Sequence, residues 1–128
     1  IKREAEYDSV SAYLEKQKRI KKELSRLKRI FKEIDENKKK LVESTMEDVA
    51  FLRVTMQDLR ENIIRDGTTV EYKNGENQYG NKQSPDAQLY LQMSQKHTQA
   101  MKVLLECMPK TKLTEVKDDG FDAFVAGR

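Results

Sequence analysis

Residues 66–86, DGTTVEYKNGENQYGNKQSPD, decide the fold, because they contain the end of one predicted helix, the start of another and the connection between them. Asp66-Gly67 predicts a helix end, since glycine adopts the left-handed C-cap conformation at low cost. Ser84 suits the N-cap of the following helix and Pro85 its first position. Between them, residues 68–72 favour extended structure and Asn74-Gly75 favours a hairpin turn. We therefore expect a long connection that begins as an extended segment or β-ribbon.

Amphipathic stripes on both sides of this connection predict an antiparallel helical hairpin. Its arms, 42–66 and 86–108, are each about 35 Å long at 1.5 Å per residue, and matched lengths favour side-by-side packing. Apolar residues recur at spacings of three and four in both arms. We expect the stripes also to bury against neighbouring copies, and the predicted oligomer interface comprises Val49, Leu52, Met56, Leu59, Ile63, Tyr90, Met93, His97 and Leu104.

A third, N-terminal helix is predicted over residues 8–34. Its apolar positions, from Val10 to Ile34, have heptad-like spacing interrupted at Gln17. This stripe and the stripe of the second helix differ by one residue, or about 100° of helix, so one straight helix cannot serve both. We place the break at residues 35–37, while Ser44 with Glu47 matches a capping box and gives a later alternative start.

Composition predicts an all-α chain with a thin core. The 128 residues are 37% charged and 37% hydrophobic, with no Trp and two Pro, and this composition favours helices. Because so polar a chain buries little apolar surface by itself, we expect it to form oligomers. We predict three parts: a basic N-terminal helix over 1–35, a helical hairpin for oligomerisation over 36–109, and a flexible tail over 110–128. No apolar run reaches the length of a membrane span.

Catalytic machinery is not recognisable in the sequence. His97 is the only imidazole, and no Cys-His metal cluster, phosphate-binding loop with Lys, or GxSxG turn occurs. The single cysteine, Cys107, excludes an internal disulfide. We expect a non-catalytic protein with no cofactor, no metal, no membrane partner and no small-molecule substrate.

The strongest charge imbalance lies in residues 16–32, where nine bases are opposed only by Glu23. Lys and Arg often occupy the solvated flank of a coiled coil, but such flanks ordinarily mix signs to form pairs along the helix. The nine like charges repel one another unless a polyanion neutralises them, which favours binding to a phosphate backbone. Such binding should depend strongly on salt concentration and show little sequence selectivity. The predicted DNA-binding residues are Lys16, Lys18, Arg19, Lys21, Lys22, Arg26, Lys28, Arg29 and Lys32.

Over residues 24–110 the chain resembles a phage terminase small subunit. The resemblance rests chiefly on the segment 72–78, YKNGENQ, followed by Ser84-Pro85 and a helix carrying Tyr90, and also on 27–31, 39–42 and 50–52. It implies a non-catalytic ring-forming homo-oligomer that binds double-stranded viral DNA and delivers it to the large ATPase–nuclease subunit in the host cytoplasm. Many small terminases carry an N-terminal helix-turn-helix that this sequence lacks. The start at Ile1 rather than Met suggests a missing N-terminal piece.

The C-terminal residues 118–125, DDGFDAFV, combine acidic and aromatic side chains and resemble a docking peptide. We expect Phe121, Phe124 and Val125 to contact the terminase large subunit or the portal. Two other classes fit the same composition. One is a coiled-coil structural or scaffolding protein whose basic helix meets an acidic partner, and the other is a dimeric DNA-binding regulator.

Overall fold

A computed structural model describes residues 2–76 and 78–109, with side chains from residue 9 onward. The elements are α1 (Lys2–Ile30), α2 (Glu36–Asp66), β1 (Thr69–Lys73), β2 (Tyr79–Gln83) and α3 (Pro85–Glu106). The expectation of a mostly helical chain is confirmed. The two strands form a small antiparallel sheet, which agrees with the expected all-α fold with an extended segment or β-ribbon in the connection.

The break between α1 and α2 lies where the shift in apolar register predicts it. α1 begins earlier than predicted, at Lys2, and ends at Ile30; residues 31–34 form a turn in which the Ile34 N–H donates to the Phe31 carbonyl at 3.2 Å. Asp35 then caps α2, because its carboxylate accepts the N–H of Asn37 at 3.2 Å. The earlier of the two predicted starts is confirmed, and Ser44 lies inside the helix.

The connection between α2 and α3 is a β-hairpin, which confirms the β-ribbon prediction. Gly67 ends α2 with φ of 83°, and its N–H donates to the Ile63 carbonyl at 2.7 Å. β1 and β2 then pair in register from Thr69 opposite Gln83 to Lys73 opposite Tyr79. The N–H of Asn74 donates to the Gln78 carbonyl at 2.7 Å and closes the turn. The ribbon thereby satisfies its own backbone groups while most of its side chains remain exposed.

α3 starts at the predicted cap and runs antiparallel to α2. The Ser84 hydroxyl accepts the Ala87 N–H at 2.9 Å and Pro85 occupies the first turn. Near the hairpin, the Arg60 guanidinium donates to the Tyr90 hydroxyl at 2.9 Å. At the far end, α3 packs its C-terminal turns against the first half of α2. The helix ends at Glu106, slightly before the Met108-Pro109 stop predicted from the sequence.

The core lies where the C-terminal half of α1, the first half of α2 and the end of α3 meet. Leu27 and Phe31 are essentially without solvent exposure, as are Val49 and Leu104. The full buried cluster is Leu27, Phe31, Ile34, Val42, Met46, Val49, Ala50, Met101, Leu104 and Met108. By contrast, Val10 and Tyr13, which begin the α1 stripe, are exposed. The apolar stripe of α1 is therefore used within the chain only in its C-terminal half.

Most of the predicted oligomer-interface residues contribute to packing within the single chain. Val49, Met56, Leu59, His97 and Leu104 are buried, and Leu52, Ile63, Tyr90 and Met93 are half-buried. The large apolar side chains left exposed on α2 and α3 are different ones: Leu41, Phe51, Ile64, Leu89, Leu91 and Val103. The structure describes a single chain, so the predicted oligomer interface stays a prediction. The predicted docking residues Phe121, Phe124 and Val125 lie outside the described residues.

Candidate nucleic-acid interface

One face of α1 carries a continuous outward stripe of basic side chains. Lys18, Lys22 and Arg29 are exposed, and Ser25 completes the four-three-four spacing that places all four residues on one helix face. Lys21 adjoins this stripe, and Lys32 continues it into the turn after the helix. We call Lys18, Lys21, Lys22, Arg29 and Lys32 the outer basic stripe.

The outer basic stripe remains electrostatically uncompensated. In the described part of the chain, no carboxylate lies within 4.0 Å of any of its five cationic groups. From Lys18 to Arg29 the stripe is about 16 Å long at 1.5 Å per residue, comparable with five base-pair steps of 3.4 Å. Its long side chains can therefore reach several phosphates of one duplex. The opposite face of α1 packs on α2, which holds the stripe outward.

The other predicted DNA-binding residues face carboxylates of the same chain. Asp58 on α2 binds two of them: Arg19 Nη1 lies 2.6 Å from Asp58 Oδ1, and Lys16 Nζ lies 3.5 Å from Asp58 Oδ2. Arg19 also donates to the Gln57 side-chain oxygen at 3.2 Å. These contacts fix α1 against the C-terminal half of α2. Lys16 and Arg19 therefore already pair with a carboxylate between the helices, and an external anion would have to compete with Asp58 for them.

Two more cations of the predicted set are also paired. Arg26 lies 3.5 Å from Glu23 within α1, and Lys28 Nζ lies 4.0 Å from Glu43 of α2. The structure thus divides the nine predicted residues into four that contact carboxylates and five that face solvent. The sequence alone offered no basis for this division, because the partners Asp58 and Glu43 belong to another helix.

A polar cluster inside the bundle takes one side chain from each helix: Glu23 from α1, Arg53 from α2 and His97 from α3. Arg53 and His97 are among the few buried polar side chains of the chain that the structure describes, at 6% and 1% exposure. Burial lowers the pKa of Arg53, while the nearby Glu23 carboxylate opposes that change. Burial also lowers the pKa of His97 to about 4, and the positive charge of Arg53 adds to this effect. His97 is therefore neutral near pH 7, and we assign it to the interior of the bundle.

A second cationic feature, which sequence reasoning missed, is a groove at the turn between α1 and α2. It has a volume of about 330 Å³ and is lined by Lys28, Phe31, Lys32, Lys39, Lys40, Glu43 and Met46. Lys28 and Lys32 come from the end of α1, while Lys39 and Lys40 come from the first turns of α2. Only the reversal of the chain at residues 31–35 brings these two lysine pairs together. We call this feature the turn groove.

Comparison with known proteins leaves the chain without an identified relative. No protein-family model matches it, and neither the curated proteins nor the solved structures contain a match. Within residues 2–76 and 78–109, no group of three or more His, Cys, Asp or Glu side chains could hold a metal ion. Across the same residues, no helix has both the length and the apolar character needed to cross a membrane. The functional argument therefore depends on the geometry of the cationic surfaces and on the resemblance in the connecting hairpin.

Proposed function

We propose that this chain is a non-catalytic DNA-binding subunit of a phage genome-packaging motor, a terminase small subunit. The observation that carries the proposal is the outer basic stripe: four exposed cations on α1 and a fifth in the turn that follows it, with no carboxylate within 4.0 Å among the described residues. Such a surface gains free energy from a polyanion, because each neutralised phosphate releases condensed counterions. The class of subunit comes from the resemblance of segment 72–78 and Ser84-Pro85 to that family.

The partners belong to the same proposal. A terminase small subunit acts as a ring of identical copies on double-stranded DNA in the host cytoplasm and recruits the large ATPase–nuclease subunit. The outward apolar residues Phe51, Leu91 and Val103 supply surface for contacts between copies, because they are 46–55% exposed on the packed hairpin. Contacts that are not two-fold symmetric close into rings when the rotation between neighbours permits it.

Duplex DNA binding is tested by neutralising the outer basic stripe. The variant Lys18→Gln/Lys22→Gln/Arg29→Gln removes three cations that contact no described carboxylate, so the packing of α1 is left intact. With five phosphate contacts, log Kd should depend on log salt with a slope of magnitude about 4.5, and losing three contacts should reduce that magnitude to about 1.8. Extrapolation from 1 M salt predicts about 80-fold weaker binding at 0.2 M salt.

A matched control changes net charge equally but elsewhere. Lys82→Gln/Lys96→Gln/Lys102→Gln alters exposed lysines of β2 and α3 and should leave the salt slope close to that of the unmodified chain. Fluorescence anisotropy with two unrelated duplexes of equal length supplies both slopes. Equal loss of affinity in the two variants would mean that net charge alone governs binding, and an unchanged slope in the α1 variant would exclude the outer basic stripe.

The assembly is tested separately by native mass spectrometry. A ring predicts one dominant species at a fixed multiple of the 15.0 kDa chain mass, both with and without DNA. The substitution Phe51→Lys should shift this species to the monomer, because it places a charge on an exposed apolar surface. A monomer or simple dimer at micromolar concentration would exclude the ring. A dimer that prefers a palindromic duplex would instead indicate a DNA-binding regulator.

A further inference from the structure

The turn groove combines an apolar floor with a cationic rim. Phe31 and Met46 line the groove and belong to the buried core, and we call them its floor; the lysines that also line it have aliphatic stems as well as charged ends. The rim has four lysines against one carboxylate, Glu43, whose nearest lysine nitrogen is 4.0 Å away. Lys39 additionally contacts Glu36 at 3.1 Å, whereas Lys32 and Lys40 have no carboxylate within 4.0 Å among the described residues. A ligand suited to this groove needs negative charge and apolar surface together.

The last described turn of the chain packs into the same hydrophobic core as the groove. Met108 is buried in the same cluster as Phe31 and Met46, the two apolar residues of the groove floor. Residues 110–128 continue from Pro109, and Phe121 lies twelve positions after Pro109. An extended chain of that length spans up to about 40 Å, so Phe121 can return to the groove without disturbing α3. Tethering at this point also raises the local concentration of the following segment to about the millimolar range.

We propose that the turn groove binds residues 118–125 of the same chain. This segment, DDGFDAFV, contains three aspartates and no basic residue, which complements the lysine rim, and two phenylalanines, which complement the apolar floor. Asp118, Asp119 and Asp122 pair with the lysine rim while Phe121 covers Phe31 and Met46. The contact holds the C-terminal segment against the bundle. The segment is then available to another protein only when it leaves the groove.

The acidic-aromatic peptide suits the groove better than a nucleic-acid backbone does. Phosphates would use the lysine ammonium groups but would gain nothing from the apolar floor, whereas a phenylalanine ring also gains from leaving water. The groove volume of about 330 Å³ also lies at the lower end of the roughly 300–1,000 Å³ range of pockets that enclose compact ligands. A single aromatic side chain with flanking carboxylates matches that size.

The proposal is tested by photocross-linking in the full chain. Replacement of Phe121 by p-benzoylphenylalanine keeps an aromatic ring at that position, and irradiation at about micromolar concentration followed by mass spectrometry identifies its neighbours. We expect cross-links to peptides within residues 28–46. An equal mixture of isotopically heavy and light chains should give heavy–heavy and light–light products. Mixed products would show that the groove of another copy is used and would overturn the intramolecular assignment.

Paired charge reversals separate the groove from general attraction to a basic helix. Lys32→Glu/Lys40→Glu should lower the cross-link yield about tenfold, because two attractive contacts become repulsive. Lys18→Glu/Lys22→Glu makes the same change in net charge on the outer basic stripe and should keep the yield within about twofold. If the first variant fails to fold, Asp118→Asn/Asp119→Asn/Asp122→Asn gives the same expected loss without altering the core. Equal losses in both lysine variants, or cross-links elsewhere, would refute the proposal. A phosphate-backbone occupant is indicated if duplex DNA protects Lys32 and Lys40 from acylation while residues 118–125 give no cross-link.

Discussion

Acidification should destabilise this bundle through a single buried imidazole. His97 is 1% exposed on α3, with Arg53 of α2 beside it and Glu23 of α1 facing Arg53. Burial, together with the positive charge of Arg53, lowers the pKa of His97 from 6.5 to about 4 in the folded chain. The unfolded chain therefore binds a proton at a pH where the folded chain does not. The resulting contribution to stability is complete above about pH 6.5 and is lost progressively as the pH falls towards about 4.

The magnitude follows from the difference between the folded and unfolded pKa values. Each pH unit between these two values changes the free energy of unfolding by about 1.4 kcal/mol. Between pH 7 and pH 4.5 the loss attributable to His97 is therefore about 2–2.5 kcal/mol. A domain of this size is typically stable by about 5–15 kcal/mol, so the loss is measurable by urea denaturation. His97→Gln removes the titrating group while keeping a polar side chain. Between pH 7 and pH 4.5, the free energy of unfolding of this variant should therefore fall by about 2–2.5 kcal/mol less than that of the unmodified chain.

The assay has an internal check because the chain contains one histidine. The carbon-bound proton between the two ring nitrogens gives one NMR signal, and in the folded protein this signal should keep its neutral position down to about pH 5. Any other group that takes up protons at low pH is common to the unmodified chain and the His97→Gln variant, so its effect cancels in the comparison. A ring that titrates near pH 6.5, or equal loss of stability in both proteins, would refute the burial argument.

Two further predictions concern how the helices are held together and ended. Asp58→Asn weakens the contacts that this carboxylate makes with Arg19 and Lys16. Because these side chains are about one-third exposed, urea denaturation should show a loss of only about 0.5–1 kcal/mol in the free energy of unfolding. The exposed Asp48→Asn serves as control, and equal effects of the two substitutions would contradict a specific α1–α2 contact. Gly67→Ala should cost about 1–3 kcal/mol, because φ of 83° with ψ of −179° is accessible essentially only to glycine. Nothing lies within 4 Å of the added Cβ at position 67, so a thermal shift no larger than that of the adjacent Thr68→Ala would disprove the conformational cause.

Local sequence signals predicted the start of α2, the end of α2 and the start of α3. Asp35, Gly67 and Ser84-Pro85 act through their own backbone or through groups at most four residues away, as the cap contacts at Asn37, Ile63 and Ala87 confirm. The one-residue register shift between the stripes of α1 and α2 likewise placed the break correctly. The first strand followed from the β-favouring residues 68–72, whereas the second strand, Tyr79–Gln83, was not predicted because it contains few such residues. The predicted features can be read from the sequence because the interacting groups are close along the chain.

The cationic surfaces could be predicted only in part. Residues 16–32 contain a visible excess of positive charge. Whether a given cation pairs with a carboxylate depends largely on carboxylates that are close in space and distant in sequence. Asp58 lies 39 positions after Arg19, and no periodicity within α1 indicates that contact. The lysines of the turn groove illustrate the same point, since Lys28 and Lys32 approach Lys39 and Lys40 only because the chain reverses between the two helices.

The sequence by itself determined that this chain forms amphipathic helices, where α2 begins and ends and where α3 begins, and it favoured an extended segment or β-ribbon between the last two. These properties depend on backbone capping and on side-chain periodicity, which act over a few residues. The tertiary structure decided which apolar residues are buried within one chain, that the outer basic stripe has no neighbouring carboxylate, and how the turn groove forms. Those outcomes depend on the relative rotation of packed helices, and that rotation is fixed only when side chains from all three helices fill the same core.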